Sequence, residues 1–267
     1  MTDHLSEAQG DVKEDTGATT MMKRILAALG LMAAATTAQA QDTFTYDWVG
    51  PYGGGYLGGS FFETEASDLT DTFTNDAPPI SELIATYGIN GGYNWQPYDD
   101  NLLLGLELDV QGGNETSQLI RFNSAGTDGQ LYENKITSLT SLRGRAGVVN
   151  GKTLIYFTGG VAFGEVDFLM IDLDEAIDSR NCSVDGIICA QAQDSLVGLN
   201  VGMGLEYAFR DDMTARFEIM HYDLESTSAE VLNGGDTPVC STANADECSA
   251  FFDSSVTQFR FGVNFKF

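Results

Sequence analysis

The last nine residues of the chain alternate between apolar and polar side chains without a break. Every second residue from Phe259 to Phe267 is aromatic or aliphatic, and the residues between them are small, polar or charged. Because side chains on a strand point alternately to opposite faces, this strand has one apolar and one polar face. A strand that meets lipid on one side and a polar lumen on the other has this pattern. The tail therefore predicts a transmembrane β-barrel in which Phe259–Phe267 closes the sheet against the first strand.

Period-two patterning continues from Trp48 onward and predicts eight strands in all. Their predicted ranges are 49–62, 82–95, 101–114, 134–149, 153–165, 195–209, 213–225 and 253–267. Short turns alternate with long polar connections, of which 167–194 is the longest. This alternation is typical of an antiparallel up-and-down outer-membrane barrel with both ends in the periplasm and four long extracellular loops. Strands of about 13–15 residues exceed the roughly 9–11 needed to cross lipid, so we expect the barrel to project beyond the membrane.

A soluble sandwich or a lipocalin-like barrel is the alternative for the same alternation. Such folds bury the apolar face and turn polar residues outward. Aromatic residues in this chain fall at strand ends beside the short turns, where a membrane interface would lie. They are Tyr93, Trp95, Tyr207, Phe209 and Phe267. The opposite strand faces are rich in glycine and charge and would make a poor soluble core, so the pattern favours the membrane barrel.

The amino-terminal part has the pattern of an export signal. A basic pair, Lys23 and Arg24, precedes the short apolar run 25–35, and a small-x-small motif follows at 38–40. A basic start, an apolar core and such a cleavage motif define a secretory signal peptide. The run is too short to span a membrane as a helix. The predicted organisation is a polar extension at 1–20, either genuine or due to an early start codon, a signal peptide at 21–40 and a barrel domain at 41–267.

The chain is strongly acidic, with a formal net charge of −26 at pH 7. Binding to nucleic acid needs lysine and arginine, so this balance argues against a nucleic-acid partner. Acidic residues crowd two connections, 63–71 and 167–185. Carboxylates suit Ca²⁺ or Mg²⁺, but no EF-hand pattern is present and charge runs are usually solvated. We therefore predict at most weak, diffuse cation binding and no structured metal site.

Four cysteines lie in segments that the sequence predicts to be polar connections. They are Cys182, Cys189, Cys240 and Cys248. Four cysteines allow three pairings. Bonds between near neighbours are the simplest, and a cross-link between the two connections is the alternative. Metal binding is a weaker interpretation, because no CxxC motif occurs. Disulfides fit an exported protein.

If the aliphatic strand face meets lipid, parity places eight charged residues inside the barrel. They are Glu107, Asp109, Arg143, Arg145, Glu206, Arg216, Glu218 and Arg260. The interior of an eight-stranded barrel is only just wide enough for its own side chains, and an unpaired buried charge is costly. We therefore predict a balanced salt-bridge network that plugs the lumen, with Glu107 paired to Arg143 and Glu218 to Arg260 as examples.

Six segments together carry a resemblance to a known family. They are Gly88–Gln96, Leu104–Gly112, Arg143–Gly147, Tyr156–Gly164, Gly204–Phe209 and Phe261–Phe267. These segments resemble the opacity-protein-like family of small outer-membrane β-barrels, which is related in form to the OmpA membrane domain. The resemblance implies a monomeric or loosely associated eight-stranded barrel in a Gram-negative outer membrane. It also implies that Phe267 belongs to the terminal-strand signal that the barrel-assembly machinery reads. Members of the family differ in function, which includes envelope integrity and surface adhesion.

The sequence favours a structural role over catalysis. We expect a plugged, non-enzymatic barrel that contributes to envelope integrity, presents acidic, disulfide-closed loops at the cell surface and needs no cofactor. Its expected partners are outer-membrane lipid and the assembly machinery, and the sequence identifies no surface ligand. The alternatives are a small-solute pore, a surface adhesin and a lipid-A-modifying enzyme. Such an enzyme needs a base near a nucleophile, and the sequence offers His221 with Asp223 on the same face and Ser226 or Ser228 beyond.

Overall fold

A computed structural model describes residues 46–68, 83–97, 101–122, 128–174, 188–233 and 249–267. The extension and signal peptide predicted for residues 1–40 lie outside this part, as do Cys182, Cys240 and Cys248. Among the described residues no helix has the length and apolar character needed to cross a membrane. The strands are β1 Gly50–Asp68, β2 Leu83–Trp95, β3 Leu102–Phe122, β4 Asp128–Asn150, β5 Thr153–Asp174, β6 Ile188–Ala208, β7 Met213–Asn233 and β8 Ser249–Lys266.

The eight strands form one closed antiparallel barrel in chain order. The last strand pairs with the first, from Tyr52 opposite Lys266 to Asp68 opposite Ala250, which confirms the predicted closing strand. One end of the barrel, the turn end, carries the short β2–β3, β4–β5 and β6–β7 connections. In the β4–β5 turn Gly151 has φ +59°, which favours glycine. The connections at the opposite loop end, 69–82, 123–127, 175–187 and 234–248, lie outside the described residues.

The sequence prediction of strand ends was wrong at the loop end. The pattern predicted a connection at 167–194, but β5 continues to Asp174 and β6 already begins at Ile188. Cys189 therefore lies within a strand and is fully buried. The other strands, apart from β2, are also longer than predicted at this end. The barrel is therefore expected to extend farther beyond the membrane than the strand lengths predicted from the sequence suggested.

The reason for this difference is that the polarity of the two faces of the wall reverses along the strands. On β6 near the turn end, outward Val201 is exposed and inward Glu206 is buried. Further along the same strand outward Gln193 is exposed and inward Leu196 is buried. Strands β4, β5 and β7 change in the same way. Apolar residues on the outer face therefore end where the lipid ends, although the strand continues.

The half of the barrel nearer the loop end, called the loop half, has an apolar interior like that of a soluble protein, and the other half is called the turn half. Its buried members include Ile136, Leu139, Ala162, Val166, Phe168, Met170, Leu196, Met220, Tyr222, Leu224 and Val256. Strand register shifts in this half, for example between Ile136 and Ser138 on β4 and between Leu224 and Thr227 on β7. Such bulges bend the wall locally. The turn half therefore has an outer apolar belt and a charged interior, and the loop half has the opposite arrangement.

The apolar belt on β6 runs from Val197 to Tyr207, which is eleven residues. This length agrees with the roughly 9–11 residues that a tilted strand needs to cross the hydrocarbon. We infer that the membrane covers the turn half and that the loop half stands in water.

Substitutions on the outer face of β6 test the position of the membrane. Val201→Arg is expected to lower the free energy of unfolding by about 2–4 kcal/mol, because residue 201 faces the hydrocarbon near its middle. Gln193→Arg on the same face, above the belt, should change it by less than about 0.5 kcal/mol. Urea unfolding of the barrel in lipid vesicles measures both. Equal costs at the two positions would contradict this boundary.

Candidate functional site

The structure places all eight charged residues predicted for the lumen inside the turn half of the barrel. Each is at most 4 % exposed. Glu107 and Asp109 extend from β3 and Arg143 and Arg145 from β4. Glu206 comes from β6, Arg216 and Glu218 from β7, and Arg260 from β8. Alternation along each strand brings them to the same side of the wall.

The carboxylate of Glu107 is the centre of the network. Arg143 donates to Glu107 Oε1 through Nε at 3.0 Å and also through Nη2. Arg216 Nη1 donates to Glu107 Oε2 at 2.7 Å, and the hydroxyl of Tyr52 donates to the same oxygen at 2.6 Å. Arg145 Nη1 lies 3.8 Å from that oxygen. Hydrogen bonds to charged groups are stronger than neutral ones, so this carboxylate on β3 links that strand to β1, β4 and β7.

Glu218 is the second carboxylate that the same arginines share. Its Oε2 lies 3.3 Å from Arg143 Nη2 and 3.5 Å from Arg216 Nη2. The hydroxyl of Tyr156 donates to Oε1 at 2.7 Å. Arg216 thus lies between two acids, and Arg143 has a third in Asp109 at 3.6 Å, which compensates for the removal of both arginines from water.

Arg145 and Glu206 extend the network towards the turn end, with Nη1 and Oε1 2.6 Å apart. Arg145 Nε also donates to Asn94 Oδ1 at 2.8 Å. The guanidinium lies 4.3 Å from the ring centre of Tyr52 and 5.1 Å from that of Tyr156. A guanidinium near aromatic faces is stabilised by cation–π attraction in addition to its ion pair.

Arg260 forms the group nearest the apolar interior, and here one predicted pair was wrong. Arg260 lies directly opposite Glu218 in the β7–β8 register, but its Nη1 reaches Asp109 at 3.3 Å instead. Its Nε donates to Gln258 at 2.9 Å, and Nη2 donates to Tyr222. A long guanidinium extends across the lumen, so backbone register does not fix its partner.

Four tyrosines that the sequence pattern did not single out line the charged network. Tyr52, Tyr56, Tyr156 and Tyr222 are buried and donate to, or accept from, the charged groups. Three of them occupy space that facing glycines leave open: a Cβ at Gly88, Gly92 or Gly204 would collide with Tyr56, Tyr52 or Tyr156, respectively. Their inward positions on the strands could have identified them, but the sequence pattern associates aromatic residues with the membrane interface alone.

The remaining predicted residues do not join this network. Cys189 takes part in a disulfide whose other cysteine lies outside the described residues, so the pairing stays a prediction. It is packed with Leu131 and Ile171. Phe267 is 81 % exposed, and its backbone N–H donates to the carbonyl of Pro51 at 3.1 Å. Its role in assembly stays a prediction.

The residues considered for catalysis lie on the outside of the wall, and so does Asp167, whereas Asp71, Glu175, Asp178 and Asp185 of the acidic connections lie outside the described residues. His221 Nδ1 is 3.0 Å from Thr257 Oγ1, and Asp223 is exposed on the same outer face. Asp167 lies 3.9 Å from Lys135, both on the outer surface of the loop half. Within the described ranges no group of three or more histidine, cysteine or acidic side chains could hold a metal ion.

A closed eight-stranded barrel with an apolar outer belt and a charged interior is an outer-membrane β-barrel. The chain belongs to the family of the outer membrane protein beta-barrel domain, which matches residues 25–267. It is therefore a protein of the Gram-negative outer membrane.

The chain is similar to several known outer-membrane proteins. The chain is 28% identical over 241 residues to the 31 kDa outer-membrane immunogenic protein of Brucella melitensis biotype 1, covering 87% of this chain and 88% of that protein. It is 30% identical over 154 residues to the 22 kDa outer membrane protein of Rhizobium leguminosarum bv. viciae, covering 56% of this chain and 59% of that protein. Among solved structures, OprG of Pseudomonas aeruginosa is similar with a TM-score of 0.46 at 14% identity, covering 82% of this chain and 97% of that one.

Proposed function

We propose that this protein is a structural barrel of the outer membrane, with a lumen closed by its charged network, that contributes to envelope integrity. The observation that carries the proposal is that the ion pairs join strands that are not neighbours in the sheet. Glu107 on β3 meets Arg216 on β7, and Asp109 on β3 meets Arg260 on β8. These contacts cross the interior rather than following the wall.

Two consecutive layers support a closed lumen. The first is the charged network, in which each of the acids Glu107, Asp109, Glu206 and Glu218 has an arginine within 3.3 Å. The second is the apolar interior of the loop half, where a hydrated ion would have to lose its water. An eight-stranded barrel leaves little room beside such side chains.

The proposed orientation places the turn end in the periplasm and the loop end at the cell surface. Outer-membrane barrels have short periplasmic turns. The apolar belt begins at the turn end, and the polar outer wall of the loop half lies beyond it. The acidic connections, with their predicted disulfides, would then face the surroundings. The name of the Brucella relative, an immunogenic protein, fits a surface-exposed loop end.

Single-channel recording tests the closed lumen against the small-solute pore. The mature barrel, refolded in detergent and inserted into a planar bilayer, is expected to give no steady conductance steps. The reason is that paired charges and an apolar layer both lie in the path. Heat-modifiable mobility on a gel verifies that the inserted protein is folded. Reproducible, steady openings of the folded protein would contradict the proposal.

A deletion strain tests the role in the envelope. Loss of the gene is expected to increase sensitivity to detergent, and the wild-type gene should restore resistance. A His221→Ala gene should restore it equally and leave the lipid A profile unchanged, because this outward histidine has no role in a structural barrel. Unchanged sensitivity of the deletion strain would contradict the structural proposal, and an altered lipid A profile would favour the enzyme.

A further inference from the structure

Three residues that precede the first strand are ordered against the turn end of the barrel. Tyr46 is 7% exposed and Trp48 is 4% exposed, although neither belongs to the sheet. Their rings meet edge to face, with centres 4.7 Å apart. Burial raises the pKa of Tyr46 to about 12. Two aromatic rings that are removed from water outside any strand indicate that this segment packs against the barrel.

Trp48 ties this segment to the far side of the barrel. Its indole Nε1 donates to the carbonyl of Gly151, in the β4–β5 turn, at 3.1 Å. Asn94, near the end of β2, donates through Nδ2 to the carbonyl of Trp48 at 3.2 Å. Trp48 therefore links the residues just before β1 to the β4–β5 turn on the opposite side of the barrel. Buried hydrogen bonds of this kind order the groups that make them.

Asp47 ties the same segment to the last strand. Lys266 Nζ lies 2.6 Å from Asp47 Oδ2 and donates to the carbonyl of Asp47 at 2.6 Å. The same ammonium is 6.0 Å from the ring centre of Tyr46. Asp47 Oδ1 also accepts from the backbone N–H of Val49 at 3.0 Å. The hydrogen bond from Lys266 holds the pKa of Asp47 below its ordinary value.

We propose that residues 46–48 form a clasp that covers the turn end of the barrel and fastens the seam between β1 and β8. This seam joins the two strands that are farthest apart in the chain, and no turn connects them. The clasp adds side-chain contacts to the backbone ladder at the end of this seam. A clasp at this seam does not require the charged network to close the lumen.

The chain provides its own reporter for the clasp, because it contains two tryptophans, Trp48 and Trp95. Trp95→Phe removes the one at the end of β2 and leaves Trp48 as the only tryptophan. Acrylamide is the quencher of choice, because it is neutral and the acidic chain does not repel it. In the refolded W95F protein the fluorescence of Trp48 should be quenched far less than that of free tryptophan.

Charge reversal then separates the clasp from general packing. Asp47→Lys in the W95F background opposes Lys266 with a second cation and is expected to raise the quenching constant by up to about fivefold, the range over which an exposed ion pair shifts an equilibrium. The double variant D47K/K266D reverses both charges and should recover most of the shielding. The temperature at which the folded form is lost on a gel should fall in the single variant and recover in the double.

The matched control is Asp212→Lys, which reverses an acid at the same end of the barrel. Asp212 pairs with Arg210 at 3.4 Å, and both side chains are more than half exposed. This variant should change neither quenching nor the unfolding temperature. Heat-modifiable mobility restricts each comparison to folded protein. Free quenching of Trp48 in the W95F parent, or equal quenching in W95F and W95F/D47K, would overturn the proposal.

Discussion

Glu107→Met is expected to lower the free energy of unfolding by about 3–5 kcal/mol, because it leaves two buried arginines without their nearest carboxylate. Arg143 and Arg216 both donate to Glu107, and all three side chains are at most 2% exposed. Methionine fills a similar volume, so the loss comes from the charge rather than from a cavity. Urea unfolding in lipid vesicles measures the effect.

A second variant distinguishes loss of charge balance from loss of packing. Glu107→Met with Arg143→Met removes one acid and one base, and Arg216 keeps Glu218 at 3.5 Å. Each single variant leaves one buried charge of the Glu107–Arg143 pair without its partner, whereas the double variant removes both charges. The double variant should therefore be destabilised by less than the sum of the two single variants. Asp167→Asn, at a pair with Lys135 in which the side chains are 36% and 33% exposed, should change stability by less than about 0.5 kcal/mol. Additive costs for Glu107 and Arg143 would show that they do not act as a pair.

Much of the barrel could be predicted because polarity and parity are coupled where a wall separates lipid from a narrow interior. A slip of one residue would move every charge to the lipid side. This coupling explains why Glu107, Arg145 and Arg260 all lie inside, as strand patterning indicates. The partner of each charge could not be predicted in the same way. Arg260 faces Glu218 in register yet meets Asp109, because a flexible guanidinium chooses among all acids across the lumen.

The loop half could not be predicted because the rule that identified the turn half is reversed there. Past Phe163 on β5 the outward position is Glu165, while inward Val166 and Phe168 are buried. A pattern that expects apolar residues to face lipid interprets this stretch as a polar connection. The same reversal hid Cys189, which is buried in a strand although Gln191, Gln193 and Asp194 follow it closely in the sequence. A sequence search with both polarities would detect such extensions.

Phe168→Ala is expected to destabilise the protein by about 3–5 kcal/mol, because it opens a cavity in the apolar interior of the loop half. Phe168 is 1% exposed and packs within this cluster, inside a wall whose outer face is polar. Protein cores are close-packed and relax only in part around a deleted ring. Urea unfolding in vesicles measures the loss.

The matched control is the same substitution on the same strand, at Phe157. This residue is 65% exposed within the apolar belt, so it contacts lipid rather than packed protein. Phe157→Ala should cost about 1.5–2 kcal/mol, the transfer contribution alone, because lipid chains fill the gap that the ring leaves. Phe168→Ala is therefore expected to be the more damaging substitution of the two. Equal losses at the two positions would mean that the loop half has no packed core of its own, and that its strands are held by the membrane-embedded half alone.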